Sequence, residues 1–251
     1  IWQGGQAGGV QEAFRALETT AGGGILLVLI VIGMGAYALW RVIDAGYDLE
    51  AYGGDAKGTL ARAGIVVTGL AHLMIGLAAL TLLVGSIGGG GGGGEGSRIV
   101  QATSAVMSWP FGVWLVGLAG AATVGAGIYY LVKAYRQTYL RELRGNRFTA
   151  RWNTALRIGV AAQGVVVTVV GGFLISAALA AQPGEAGGLG QTFSWLSGQP
   201  YGRILVTALA LGLICFALFC FVNAAYRIVP KAQGDAVETL GRRLKQRAQG
   251  T

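Results

Sequence analysis

Five stretches of the chain are almost unbroken runs of Leu, Val, Ile, Ala and Gly: residues 22–43, 61–84, 111–132, 155–181 and 202–229. A helix crosses a bilayer in about 20 residues, so each run is long enough to span. No acidic residue falls in the central part of any run. Barrel strands would be ~10 residues long with alternating polar positions, and that alternation is absent. The pattern predicts an all-α integral membrane protein, a polytopic helical bundle.

Shorter segments with helical spacing precede three of the runs: Val10, Phe14 and Leu17; Ile99, Ala102, Val106 and Trp109; Leu189, Thr192 and Leu196. Polar residues beside them favour helices lying along the membrane surface, with Trp109 and Trp195 at headgroup depth. The alternative is that they form the first turns of long tilted spans.

Composition narrows the class. Of 251 residues, 53% are hydrophobic and 12% charged, against about 25% charged in soluble domains. Mean hydropathy is +0.58. So little charge cannot cover the surface of a cytosolic enzyme. Glycine is abundant at 45 residues, but 4 prolines and no three-residue period exclude collagen. Of the 19 basic residues, all but Arg15, Arg98 and Arg203 fall on one side of the five spans. The positive-inside rule makes that side, with the C-terminus, cytoplasmic. The net charge of +8 therefore reads as topology and contact with anionic headgroups, not as nucleic-acid binding.

The chain repeats itself. Arg62-x-Gly64, Gly69 and Gly76 recur with identical spacing as Arg157-x-Gly159, Gly164 and Gly171. Pro110-Phe111-Gly112 recurs as Pro200-Tyr201-Gly202, and the spans that end at Arg41 and Lys133 share one order of glycine, aromatic and basic residues. The repeated unit is a helix opening on Arg-x-Gly, an outer loop, and a helix ending aromatic and basic. This gives an incomplete first repeat (1–57), a second (58–152), a third (153–230) and a basic tail (231–251). The first repeat lacks its first helix, so a sixth span is expected upstream in the full gene product. Two helices per unit insert every unit in one direction, predicting tandem parallel repeats with pseudo-three-fold symmetry about the membrane normal.

The repeated Arg-x-Gly and Pro-(Phe/Tyr)-Gly helices, over about residues 22–230, resemble the bacterial membrane family catalogued as domain of unknown function 1206. That resemblance implies three helix pairs and no assigned activity. The Pro-Phe-Gly pattern is poorly matched near residues 19–24.

Candidate chemistry is sparse. Seven consecutive glycines, Gly88 to Gly94, read as a flexible outer tether; no Gly-Lys-Ser/Thr follows, so they cradle no phosphate. His72, the only histidine, lies mid-span with Thr68 one turn before it, and Gln163 is the repeat equivalent of Thr68. Asn223 sits near the end of the last span, where the repeat has Lys133. Intramembrane polar groups are costly and point to a site. His72 can glue helices through Thr68 or Gln163, line a path for a proton, ion or small solute, or ligate a pigment or haem. Thr68, His72, Ile75 and Ala79 form a stripe expected to face the bundle interior. Cys215 and Cys220 read as small apolar residues, and no metal-ligand spacing is present.

Arg141, Arg144, Arg147 and Arg151 stand three or four apart, so one helix would place them on one stripe. They fit anionic lipid or an acidic partner, or simply positive-inside topology. Gly117 and Gly125 on the third span, and Gly164 and Gly172 on the fourth, are spaced for close helix packing. No nucleophile, base and orienting group assemble. The expected protein is therefore a non-enzymatic, multi-pass component of the bacterial inner membrane, without cofactor or metal. It would serve as an accessory or scaffold subunit beside other membrane proteins. The alternatives are a conduit or carrier for a small solute or ion, and a pigment- or lipid-binding protein.

Overall fold

The computed structural model describes residues 8–88 and 95–228. Gly89–Gly94 of the glycine run and the basic tail lie outside the described residues. Nine α-helices are formed among those described: α1 (Val10–Glu18), α2 (Gly23–Tyr47), α3 (Ala56–Gly88), α4 (Glu95–Met107), α5 (Gly112–Arg136), α6 (Arg147–Arg151), α7 (Asn153–Ala180), α8 (Leu189–Ser197) and α9 (Gly202–Tyr226). Five of them, α2, α3, α5, α7 and α9, are long and apolar enough to cross a membrane. A helix of 25 residues such as α5 is about 37 Å long, more than the ~30 Å hydrocarbon core. On α5 the exposed Trp114 and Tyr135 lie about 32 Å apart along the axis, matching two interfacial aromatic belts. Between them Leu115, Leu118 and Ile128 also stand exposed, as lipid-facing side chains do.

The amphipathic segments are separate helices, α1, α4 and α8, not first turns of spans. Each ends in a corner of the same construction. Gly22, Phe111 and Tyr201 take left-handed backbone (φ +82°, +62° and +61°). The next residue donates its N–H back across the turn: Gly23 to Thr20 O at 2.8 Å, Gly112 to Trp109 O at 2.9 Å, and Gly202 to Gln199 O at 2.9 Å. A Cβ on Gly112 would collide with the Val106 carbonyl, and one on Gly202 with that of Ser197. Only glycine fits where the span turns so tightly against the end of its surface helix. The corner at Gly22–Gly23 lacks the proline and aromatic of the other two, yet has the same bonds.

The chain divides into two compact units within the described residues. In the unit of residues 10–88, α2 and α3 pack along their length as an antiparallel pair, and Phe14 of α1 joins Leu27 and Ala79 in a buried cluster. In the unit of residues 95–228, α5 packs on α7 and α7 on α9. One of its clusters joins Val166, Phe193, Val206 and Leu209. The other, at the arginine-rich end, joins Tyr139, Leu143, Leu156, Val160, Phe219 and Val222.

Of the repeated glycines, Gly69, Gly76, Gly164 and Gly171 sit at close helix contacts. A Cβ on Gly69 or Gly76 would press on Arg41 or Met34 of α2; one on Gly164 or Gly171 would press on Leu131 or Val124 of α5. The glycine packing stripe needs correction. Gly164 is in close contact and Gly117 reaches Ala178, but Gly125 and Gly172 have nothing near them. The close positions are Gly120, Gly127 and Gly171 instead. Four-residue spacing fits more than one stripe of a glycine-rich helix, and the direction in which α5 crosses α7 selects one.

Candidate functional site

The unit of residues 10–88 carries a polar file on the facing sides of α2 and α3. Tyr37, Arg41 and Asp44 stand at i, i+4 and i+7 and share one face of α2. Arg41 Nε donates to Tyr37 Oη at 2.8 Å, and Arg41 Nη1 donates to Asp44 Oδ2 at 3.2 Å. The guanidinium also lies 4.9 Å from the Tyr37 ring centroid, within cation–π range. Asp44 is buried, and its Oδ1 has no hydrogen-bond partner.

His72 reaches this file from α3, its ring centroid 4.4 Å from that of Tyr37. His72 Nδ1 lies 2.8 Å from the Thr68 carbonyl. A carbonyl only accepts, so Nδ1 carries a proton in this contact. Thr68 Oγ1 in turn donates to Gly64 O at 2.8 Å. Of the two partners expected for His72, Thr68 is met, through its backbone carbonyl on the same helix. Nearer the helix end, Arg62 Nε donates to Ala45 O at 2.6 Å, satisfying a carbonyl in the last turn of α2 with a cation suited to its dipole. Tyr37, Arg41 and Asp44 were not among the sequence candidates. Their common face was legible from spacing, but Asp44 reads as a loop residue until α2 is seen to run to Tyr47.

In the unit of residues 95–228 the connection between α5 and α7 folds into a cap. The four arginines do not share one helix. Instead a 3-10 turn (Thr138–Arg141), an extended segment and α6 follow one another. The reason is in the sequence: Gly145 interrupts the run, and Asn146 starts α6 as a capping box, accepting from Thr149 N at 2.8 Å while its own N–H donates to Thr149 Oγ1. Leu143 pairs antiparallel with Arg227, with Arg144 N donating to Tyr226 O at 2.8 Å and Ile228 N to Glu142 O at 2.7 Å. Tyr139, Leu143 and Thr149 are fully buried.

Tyr139 Oη donates to Asn153 Oδ1 at 2.9 Å, and burial pushes its pKa up to about 12, with Arg157 pulling the other way. Lys133 Nζ donates to both oxygens of Glu142 at 2.8 Å. Arg141, Arg144, Arg147 and Arg151 all remain exposed. Gln163 is half-buried on α7. Asn223 matches Lys133 in the repeat, and its Oδ1 is shut from solvent with no partner. Cys215 and Cys220 are free.

Five helices long and apolar enough to cross a bilayer define a polytopic α-helical membrane protein. Its sequence matches the family described as Domain of Unknown Function (DUF1206) over residues 1–48, 63–137 and 158–227, and the chain belongs to that family. It is similar to the uncharacterized protein YxxB of Bacillus subtilis (strain 168), 30% identical over 230 residues, covering 88% of this chain and 81% of that one. No solved structure matches the chain.

Proposed function

We propose that this protein is a non-enzymatic packing subunit of a larger assembly in the bacterial inner membrane, its C-terminus and arginine-rich end in the cytoplasm. The observation that carries the reading is how its intramembrane polar groups are spent. Thr68, Thr123, Thr168 and Thr207 each donate to the carbonyl four residues back on their own helix, at 2.8 Å in every case. His72 Nδ1 is likewise used on its own helix. Groups satisfied this way are not held out to a passing solute, and small residues let the helices pack closely. The test is gentle detergent extraction followed by mass spectrometry of co-purifying proteins. A defined membrane-protein partner recovered in constant ratio supports the subunit reading; a monodisperse species without a partner overturns it.

A second reading, a conduit or carrier for a small solute or ion, is favoured by the file Tyr37–His72–Arg41–Asp44 with its unpartnered buried carboxylate oxygen. Loss of a growth or uptake phenotype in His72→Ala at unchanged expression would support the conduit. An unchanged phenotype would remove it.

A further inference from the structure

We propose that the cap between α5 and α7 is a binding site for anionic phospholipid headgroups. Arg141, Arg144, Arg147 and Arg151 are exposed, and none has an ion-pair partner among the described residues. The one acidic side chain of the cap, Glu142, is taken by Lys133. Four unneutralised guanidiniums therefore surround a single local fold, each able to bind phosphate through paired N–H donors.

The cap is built rather than loose. Buried Tyr139, Leu143 and Thr149, the Asn146 capping box and the backbone bonds to Tyr226 and Ile228 fix where the arginines project. Those anchors also hold the cap against the ends of α5, α7 and α9, so its arginines lie at headgroup level. Phe148 and Trp152 lie in the same segment, 44% and 43% exposed. Aromatic side chains beside basic ones at a span end suit the boundary between headgroup and acyl chain. An acidic soluble protein would need the charges but not the aromatics, so the arrangement favours lipid. The site stands apart from the packing proposal and does not depend on it.

The test uses the full chain in nanodiscs of phosphatidylcholine with and without phosphatidylglycerol, followed by detergent exchange and mass spectrometry of retained lipid. Preferential retention of phosphatidylglycerol that weakens with added salt is expected. Each of the single variants Arg141→Gln and Arg147→Gln should lower it about five-fold, the ~1 kcal/mol of one basic side chain at an anionic surface, and Arg→Lys at the same positions should restore most of it. Single substitutions leave the other basic residues to hold topology, and protease access to a C-terminal tag checks it. Equal retention of both lipids by the unaltered chain overturns the proposal, whatever the variants do. So does retention unchanged in both Gln variants, or a variant that loses a co-purifying protein while keeping its phosphatidylglycerol.

Discussion

Gly171 and Gly172 are neighbours on α7, and alanine at the two should act in opposite directions. A Cβ on Gly171 would lie 2.6 Å from Val124 N, 2.8 Å from Val124 Cγ2 and 3.0 Å from Gly120 O; one on Gly172 meets nothing within 4 Å. The backbone of Val124 cannot rotate aside, so alanine at 171 forces α5 away from α7 along a contact that includes Gly120 and Gly127. Overpacking of this kind costs about 1–3 kcal/mol, and a backbone obstacle places it at the upper end. Alanine gains up to ~1 kcal/mol of helix propensity at either position. Gly171→Ala should therefore destabilise by up to about 2 kcal/mol, and Gly172→Ala stabilise by up to about 1. At about 2–4 °C per kcal/mol for a chain of this size, the two variants should move Tm in opposite directions by several degrees. The assay is size-exclusion thermostability of fluorescent fusions in one mild detergent. If both variants shift Tm the same way, or Gly172→Ala is the worse, the α5–α7 contact is not where the glycines place it.

Two further outcomes follow from the cap. Tyr139 has a raised pKa in the folded protein, so its burial contributes stability in full below its unfolded value near 10. That contribution is lost as pH rises from about 10 toward about 12. Tyrosinate absorbance should show one tyrosine titrating late and cooperatively with loss of the fold, and Tyr139→Phe should remove that step; an unchanged profile would refute it. Glu142→Gln should leave the Lys133 ammonium without its carboxylate and cost about 1–3 kcal/mol, and Lys133→Met added to it should recover part of the loss. A double-mutant cycle with no coupling would show that the pair contributes nothing.

Much of the fold was legible because its signals are local. A run of apolar residues long enough to span needs no partner to be recognised, and the sequence placed all five spans to within a few residues. The surface helices were legible from spacing, while the corners that end them showed in the sequence only as a recurring Pro-(Phe/Tyr)-Gly. The Gly22–Gly23 corner was half-hidden because its bond is a backbone bond, which any residue at position 20 can supply. The candidate site was less legible. Thr68 and His72 were found by their cost in a membrane, but Asp44 joined Tyr37 and Arg41 only once α2 was seen to run to Tyr47, and His72 met Tyr37 only when α3 lay against α2.

The sequence by itself determined class, spans and repeated motifs, since these depend on hydropathy and on backbone geometry within a few residues. Tertiary structure decided three things that no local signal carries. The helix crossing selected Gly120, Gly127 and Gly171 over Gly125 and Gly172. The pairing of Leu143 with Arg227 held the connection between α5 and α7 as a compact cap. The approach of α3 to α2 set the His72 ring against Tyr37. Each is a contact between residues far apart in the chain, fixed by how backbones and side chains exclude one another in space.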